Sequence, residues 1–349
     1  VRVGDGNSYD LNGYGSTKDF QHYDGGYSIR NYNLANVSTC SVSALLNFGG
    51  TLRTLFAGPG DIVWAGNIIT GSTSLSRGAL MKGGCGTLTF QGESHFTNWV
   101  AVRGGTLVLD YRFNNNSKLA RLFNMTNALA VRGAVEFIGN NDADTVEYVT
   151  DIDTTENSVP NNSRSSLGPG SIKITTGTGR NFTLAATRIT RQSGFDGCVP
   201  VDVSFAETGG GAAAVTVSAM ADGPLGGKFT VNQNTFATIS GGAVAGLPNG
   251  AYSTAFPGSN AGTNVNVDVT ADTAITSNAW ARTLRFAQNG ATEVTISDAT
   301  LNLPQANDQY GGILITPAAG QVDIVGNGLI NLGDNTTLAL HHYGNDILL

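Results

Sequence analysis

Gly86-Thr87-Leu88 returns nineteen residues later as Gly105-Thr106-Leu107. Each triplet opens a short alternating apolar run, GTLTF from Gly86 to Phe90 and GTLVLDY from Gly105 to Tyr111. That interval is close to one coil of a parallel β-solenoid, in which each strand lies above its predecessor. Gly50-Thr51-Leu52 stands thirty-six residues before Gly86, about two such coils. A stacked strand must bend at the same place in every coil, and glycine takes the bend without a Cβ clash. The glycine then marks a corner, and the run after it sends alternate side chains into a narrow core.

The rest of the chain keeps the period of two. Runs such as 60–64 (GDIVW), 133–138 (GAVEFI), 170–174 (GSIKI), 214–218 (AVTVS), 264–269 (NVNVDV), 292–296 (TEVTI), 312–315 (GILI) and 321–325 (QVDIV) are short. Most are bounded by Gly, Asn, Asp or Pro, the residues that turn a chain sharply. One stretch, 117–130, has helical spacing at Leu119, Leu122, Phe123 and Leu129 and predicts a short helix. Residues 140–167 are polar and predict a long surface loop with one edge strand over 145–150. The expected fold class is all-β, a right-handed parallel β-solenoid (β-helix) with irregular coils and a polar surface loop. The expected organisation is an N-terminal solenoid over 1–204 with a capping or contact segment at 1–35. An irregular Gly/Ala-rich β region or small insertion follows over 205–275, then C-terminal coils over 276–349.

Composition supports this class. Only 13% of residues are charged, 47 of 349 are glycine and 40% are apolar, which suits turn-rich β structure and not disorder. The net charge is −7, and from Phe229 onward Arg282 and Arg285 alone face eight acids. No basic stripe exists for a phosphate backbone to follow, so no nucleic-acid partner is expected. No run of eighteen apolar residues occurs, so no membrane span is expected. The opening Val1-Arg2-Val3 has neither an initiator Met nor a signal pattern, and the chain reads as a mature or excised piece of a longer product. Cys40, Cys85 and Cys198 lack metal-ligand spacing; one disulfide with a free thiol, or three buried thiols, both stay open.

GPGDIVWAGNIITGS at 58–72 and KGGCGTLTFQGESHFTNWVAVRGGTLVLDY at 82–111 resemble the autotransporter-associated β-strand repeat of large bacterial surface proteins. Gly86, Thr87, Leu88, Gly105, Thr106, Leu107 and Leu109 sit where that motif predicts. A looser resemblance to the same proteins covers 281–349, with its TLRF and GGILI stretches. About a third of the chain is involved. The resemblance implies a right-handed parallel β-helix that is exported, non-enzymatic and part of a fibre or surface coat.

Candidate chemistry is sparse. Asp142, Asp144, Asp151 and Asp153, with Glu147 and Glu156 nearby, form the best acidic cluster, and hard oxygen ligands of that kind suit calcium. The competing reading is a solvated polar loop. Asp196, Asp202 and Glu207 are too scattered for a carboxylate pair. His22, His95, His341 and His342 supply no nucleophile–base–acid set, and His341-His342 reads as one residue inward and one outward on a strand. Gly4-Asp5-Gly6 precedes no helix, so it is no nucleotide loop. Trp64, Trp99 and Trp280 lie in or beside strands, where packing competes with sugar stacking. Tyr9, Tyr14, Tyr23, Tyr27 and Tyr32 make a polar-aromatic start suited to capping or subunit contact. Sequons stand at Asn36, Asn115, Asn124, Asn161, Asn181 and Asn335. No catalytic, cofactor-binding or metal-binding residue is assigned. The reading is an extracellular, self-assembling structural solenoid whose partner is another copy or the remainder of a longer surface chain. An adhesin or carbohydrate-binding solenoid is the alternative, and a β-helix polysaccharide lyase or hydrolase follows it. The apolar finish LALHHYGNDILL places the expected joining surface at 336–349.

Overall fold

The computed structural model describes residues 8–15, 20–22, 27–41, 44–46, 53–70, 79–96, 99–121, 128–154, 169–190, 199–260, 264–304, 311–333 and 338–344. The protein is all-β; among these residues the only helix is one 3₁₀ turn, Asn249–Ala251. It divides into two compact units, one of Val1–Thr154, Ser158–Thr190 and Phe205–Met220, the other of Thr155–Asn157, Arg191–Ser204 and Ala221–Leu349.

In the first unit the repeated triplets stack in the register their spacing predicts. Thr87–Phe90 pairs in parallel with Thr106–Asp110, setting Thr87 beside Thr106, Leu88 beside Leu107 and Phe90 beside Leu109. The ladder runs back to Ile62–Trp64 and forward to Ala134–Ile138 and Gly170–Thr175, all parallel. A second parallel ladder passes through Arg53–Ala57, Ala79–Lys82, Trp99–Val102, Ala128–Val131, Thr145–Asp153, Phe182–Thr190 and Ala213–Val217. A third holds Phe20–His22, Ala44–Leu46, Ile68–Thr70, Ser94–Phe96 and Ala120–Arg121, its last strand. The glycines act as the repeat requires. A Cβ on Gly86 would lie 2.5 Å from the Gly60 carbonyl oxygen, and one on Gly105 2.4 Å from that of Gly86. Both distances are far inside van der Waals contact, and Gly105 also sits at φ +62°.

Inward positions build an aromatic core. Phe56 meets Trp64 and Phe90 edge-on, with ring centroids 5.7 and 5.9 Å apart. Farther along, Phe182 packs against Tyr111 and Phe137 at 5.4 and 5.5 Å. All six rings are buried, each stabilising the fold by about 1.5–3 kcal/mol through removal from water. Trp64 is therefore a packing residue.

The second unit begins with mixed pairing. Val201 to Val203 pair in parallel with Phe229–Val231, but Gly223–Pro224, Phe229–Val231, Thr235–Ser240 and Ala243–Gly246 then pair antiparallel. The antiparallel pairs lie within 205–275, the stretch the sequence sets apart as irregular or inserted. The cause is local: Asn232 and Gln233 (φ 51° and 60°), then Gly241 and Gly242 (φ 58° and 74°), adopt the left-handed conformations that close tight hairpins. Beyond them three parallel ladders resume. One carries Tyr252–Ser253, Asn266–Val269, Thr283–Phe286, Gly312–Ile315 and Ala339–His342. The others carry Thr273–Ile275, Thr292–Ile296 and Val322–Gly326, and Ala279–Trp280, Thr300–Asn302 and Leu329–Asn331. Their core is mostly aliphatic, including Val267, Leu284, Val294, Leu301 and Ile313 around Phe286.

Two expectations are corrected. The helix over 117–130 is replaced by strands Ala120–Arg121 and Ala128–Val131, because both join existing parallel ladders and tertiary pairing outweighs a weak helical pattern. The edge strand at 145–150 is a nine-residue internal strand, Thr145–Asp153, with Ala128–Val131 on one side and Phe182–Thr190 on the other. Asp151 and Asp153 are buried in it, so residues 145–153 are not a surface loop. Gly4, Asp5, Gly6, Tyr23, Gly50 to Leu52, Asn124, Glu156, Asn161, Asp196, Cys198 and Asn335 lie outside the described residues, as do the side chains of His22, Tyr27, His95 and Trp99.

Candidate functional site

The chain's expected acids separate into distinct environments. Asp142 and Asp144 are exposed. Asp144 holds the approach to the neighbouring strand Phe182–Thr190, accepting from the Asn181 backbone N–H at 2.9 Å and from its Nδ2 at 3.2 Å. Asp151 pairs with Arg188 at 3.0 Å. Among the described residues no three His, Cys, Asp or Glu side chains gather as a metal site would require. The sequon asparagines Asn115 and Asn181 are engaged with distant segments: Asn115 Nδ2 donates to the Asp144 carbonyl at 2.8 Å, and its Oδ1 accepts from Thr145 at 2.7 Å.

Glu147 is the exception, fully buried and central. The Tyr111 hydroxyl donates to Oε2, as does the Lys118 backbone N–H at 2.7 Å. Ser117 Oγ donates to Oε1 at 2.5 Å, and the Tyr148 backbone N–H at 3.2 Å. Four donors fill the acceptor positions of one carboxylate. The Lys118 ammonium lies 4.9 Å from the Tyr111 ring centroid and donates to Asn114 Oδ1 at 2.7 Å and the Asn116 carbonyl at 3.2 Å. Burial lowers the Lys118 pKa to about 8 against the opposing pull of Glu147, Asp110 and Glu93. Burial, reinforced by Glu147, pushes the Tyr111 phenol well above its usual value.

This centre borders an open groove of about 440 Å³ lined by Ser117, Glu147 to Thr150, Ala185 to Thr187, Thr216 and Ser218. Its wall is the outward face of three neighbouring strands, with Tyr148, Ala185 and Thr216 in one register row. Tyr148 is 67% exposed. Sequence reasoning placed Glu147 and the strand from Thr145 but missed Tyr111, Ser117 and Lys118, which no motif joins to it.

The second unit holds another buried polar chain. His341 Nε2 lies 2.8 Å from the Gly227 carbonyl and Nδ1 3.3 Å from the Tyr343 hydroxyl. Tyr343 reaches Thr230 at 3.4 Å, and Thr230 donates to Asp202 Oδ1 at 2.8 Å. Asp202 also accepts from Ser204 Oγ and from the Gln233 backbone N–H. Burial drives the His341 pKa down to about 4, opposed by the Gly227 carbonyl and Asp202. His341 is buried and His342 partly exposed, so the two alternate as neighbours on a strand do.

The last strands of the second unit, Val322–Gly326, Leu329–Asn331 and Ala339–His342, each have one ladder neighbour among the described residues. Leu301 is fully buried, yet its register partner Ile330 is 40% exposed, and Leu329 reaches 68%. Val322, Ile324, Leu332 and Leu338 are only partly covered against the core.

Cys40 is buried, and Cys85 is an exposed free thiol. Among the described residues no helix is long and apolar enough to cross a membrane. No protein-family model, curated protein or solved structure matches the chain.

Proposed function

We propose that this chain is a self-assembling segment of an extracellular fibre, sheath or surface coat, wound as a right-handed parallel β-solenoid, and not an enzyme. One observation carries the reading. Among the described residues the final strands of the second unit each keep one unpaired backbone edge, and Ile330, in register with the buried Leu301, stays 40% exposed beside the outward, exposed Leu329. Such an edge is a template for pairing with another chain. Another copy, or the continuation of a longer surface chain, supplies the missing coil. The coil-to-coil return of the parallel ladders and the resemblance at 58–111 support the solenoid and its export. The saturated Glu147 carboxylate and the separated aspartates favour a structural reading over acid–base catalysis.

Sedimentation and negative-stain electron microscopy of the full chain test the idea. The expected result is oligomers or filaments whose formation is suppressed by Leu329→Lys with Ile330→Lys, both at exposed positions. A chain that stays strictly monomeric at high concentration would overturn it.

A further inference from the structure

The groove beside Glu147 has no part in that assembly reading, and its lining is chemically selective. Two rows of outward side chains cross it. Tyr148, Ala185 and Thr216 form the first by direct register. Thr150, Thr187 and Ser218 form the second, because Val149 pairs with Ala186, Ala186 with Val217, and the Ser218 backbone N–H donates to the Ala186 carbonyl at 3.1 Å. Hydroxyls in the second row therefore stand about 4.8 Å apart, the strand spacing. The methyl of Ala185 beside the exposed Tyr148 leaves a depression between the phenol and Thr216.

From this geometry we infer that the groove binds a neutral oligosaccharide, with Tyr148 stacking on a sugar ring and the Thr150, Thr187 and Ser218 hydroxyls meeting its hydroxyl groups. An amphipathic phenol and adaptable hydroxyls suit a ligand with an apolar C–H face and a polar rim. A volume of about 440 Å³ lies within the range of small-ligand sites. Among the described residues no lysine or arginine lines the groove, which disfavours phosphorylated or uronic-acid ligands. Its one carboxylate already accepts four hydrogen bonds, so it offers no open partner to a cationic ligand. A peptide cannot join as an added strand, because Phe182–Thr190 already has a ladder partner on each side.

The test is calorimetric titration of the full chain with cellohexaose, mannohexaose and chitohexaose, and with a galacturonate hexamer as the charged control. At least one neutral hexasaccharide binds, and the galacturonate hexamer does not. Tyr148→Ala weakens that binding about tenfold, Tyr148→Phe preserves it, and Ala185→Phe, which fills the depression, abolishes it. Circular dichroism establishes that each variant is folded, and Tyr148, being exposed, tolerates both changes. Failure of all three neutral sugars, equal binding of the galacturonate, or an unchanged affinity in Tyr148→Ala would each overturn the assignment. Assembly through Leu329 and Ile330 is measured separately, so either proposal can fall alone.

Discussion

The two units solve the same packing problem with different materials. The first fills its interior with edge-to-face aromatic rings, Phe56, Trp64 and Phe90 in one group and Tyr111, Phe137 and Phe182 in another. It also places a saturated carboxylate among buried polar groups. The second is lined mainly by aliphatic side chains, and among its described residues the last ladder strands leave Leu329 and Ile330 exposed. Rings that interlock at fixed angles specify one packing, whereas small branched side chains tolerate exchange. The difference teaches that regular backbone ladders do not dictate how a core is filled; the inward residue types do.

Core truncation is the strongest way to break this comparison. Phe90→Ala removes a ring that touches Phe56 and costs about 3–5 kcal/mol, while Ile330→Ala at the uncovered end costs under about 1 kcal/mol. Urea denaturation followed by circular dichroism measures both. Equal losses would mean that the end is covered in solution.

Acidification separates the units next. His341 keeps a folded pKa of about 4 against an ordinary 6.5. Between those values the unfolded chain binds the proton and the native one does not, so stability falls with pH, by roughly 3 kcal/mol once pH is below 4. His341→Phe should remove this slope. The first unit shifts in the alkaline direction. Lys82 and Lys118, both lowered to about 8 chiefly by burial, lose their protons in the native state before the unfolded one. Stability therefore rises as pH goes from 8 towards 10. Above 10 Tyr111, held protonated by burial and by Glu147, acts in the opposite sense. Melting temperatures across pH that lack the acid-side loss would remove the buried histidine from the account.

The mildest test exchanges one oxygen. Glu147→Gln presents an amide N–H₂ to groups that are all donors and costs about 2 kcal/mol. Asp202→Asn in the second unit, where three donors converge, should cost a similar amount. A neutral result at Glu147 alone would show that the aromatic packing, not the carboxylate, fixes that region.

How much of this was legible follows from what each feature depends on. The triplet at Gly86 and Gly105 was readable because stacking makes spacing and register the same quantity, and the close approach of successive corner backbones explains the glycines. The strand Thr145–Asp153 was misread because its first half turns Thr145 and Glu147 inward with Val149 while Val146 and Tyr148 face outward; only beyond it does an apolar residue, Ile152, lie inward in register with Leu129 and Ile189. Over 145–148 the usual apolar-inside alternation is inverted, and partners such as Tyr111, Ser117 and Lys118 satisfy the buried carboxylate. Those partners arrive through topology, from 29 to 36 positions away, and no local period encodes them. The His341–Gly227 contact spans 114 positions and is equally silent in the sequence. The hairpins from Asn232 and Gly241 depend on left-handed turn residues within a stretch already dense in glycine, where such signals do not stand out.

Parallel pairing at the final strands of the second unit would give the proposed assembly a direction. Where the joint continues the parallel pairing of these ladders, copies join head to tail, whereas a joint between two identical ends would have to be antiparallel. A head-to-tail polymer of this kind would be polar, with two chemically different tips. A trace of chain blocked at Leu329 and Ile330 but intact at its opposite end would terminate growth far below equimolar amounts.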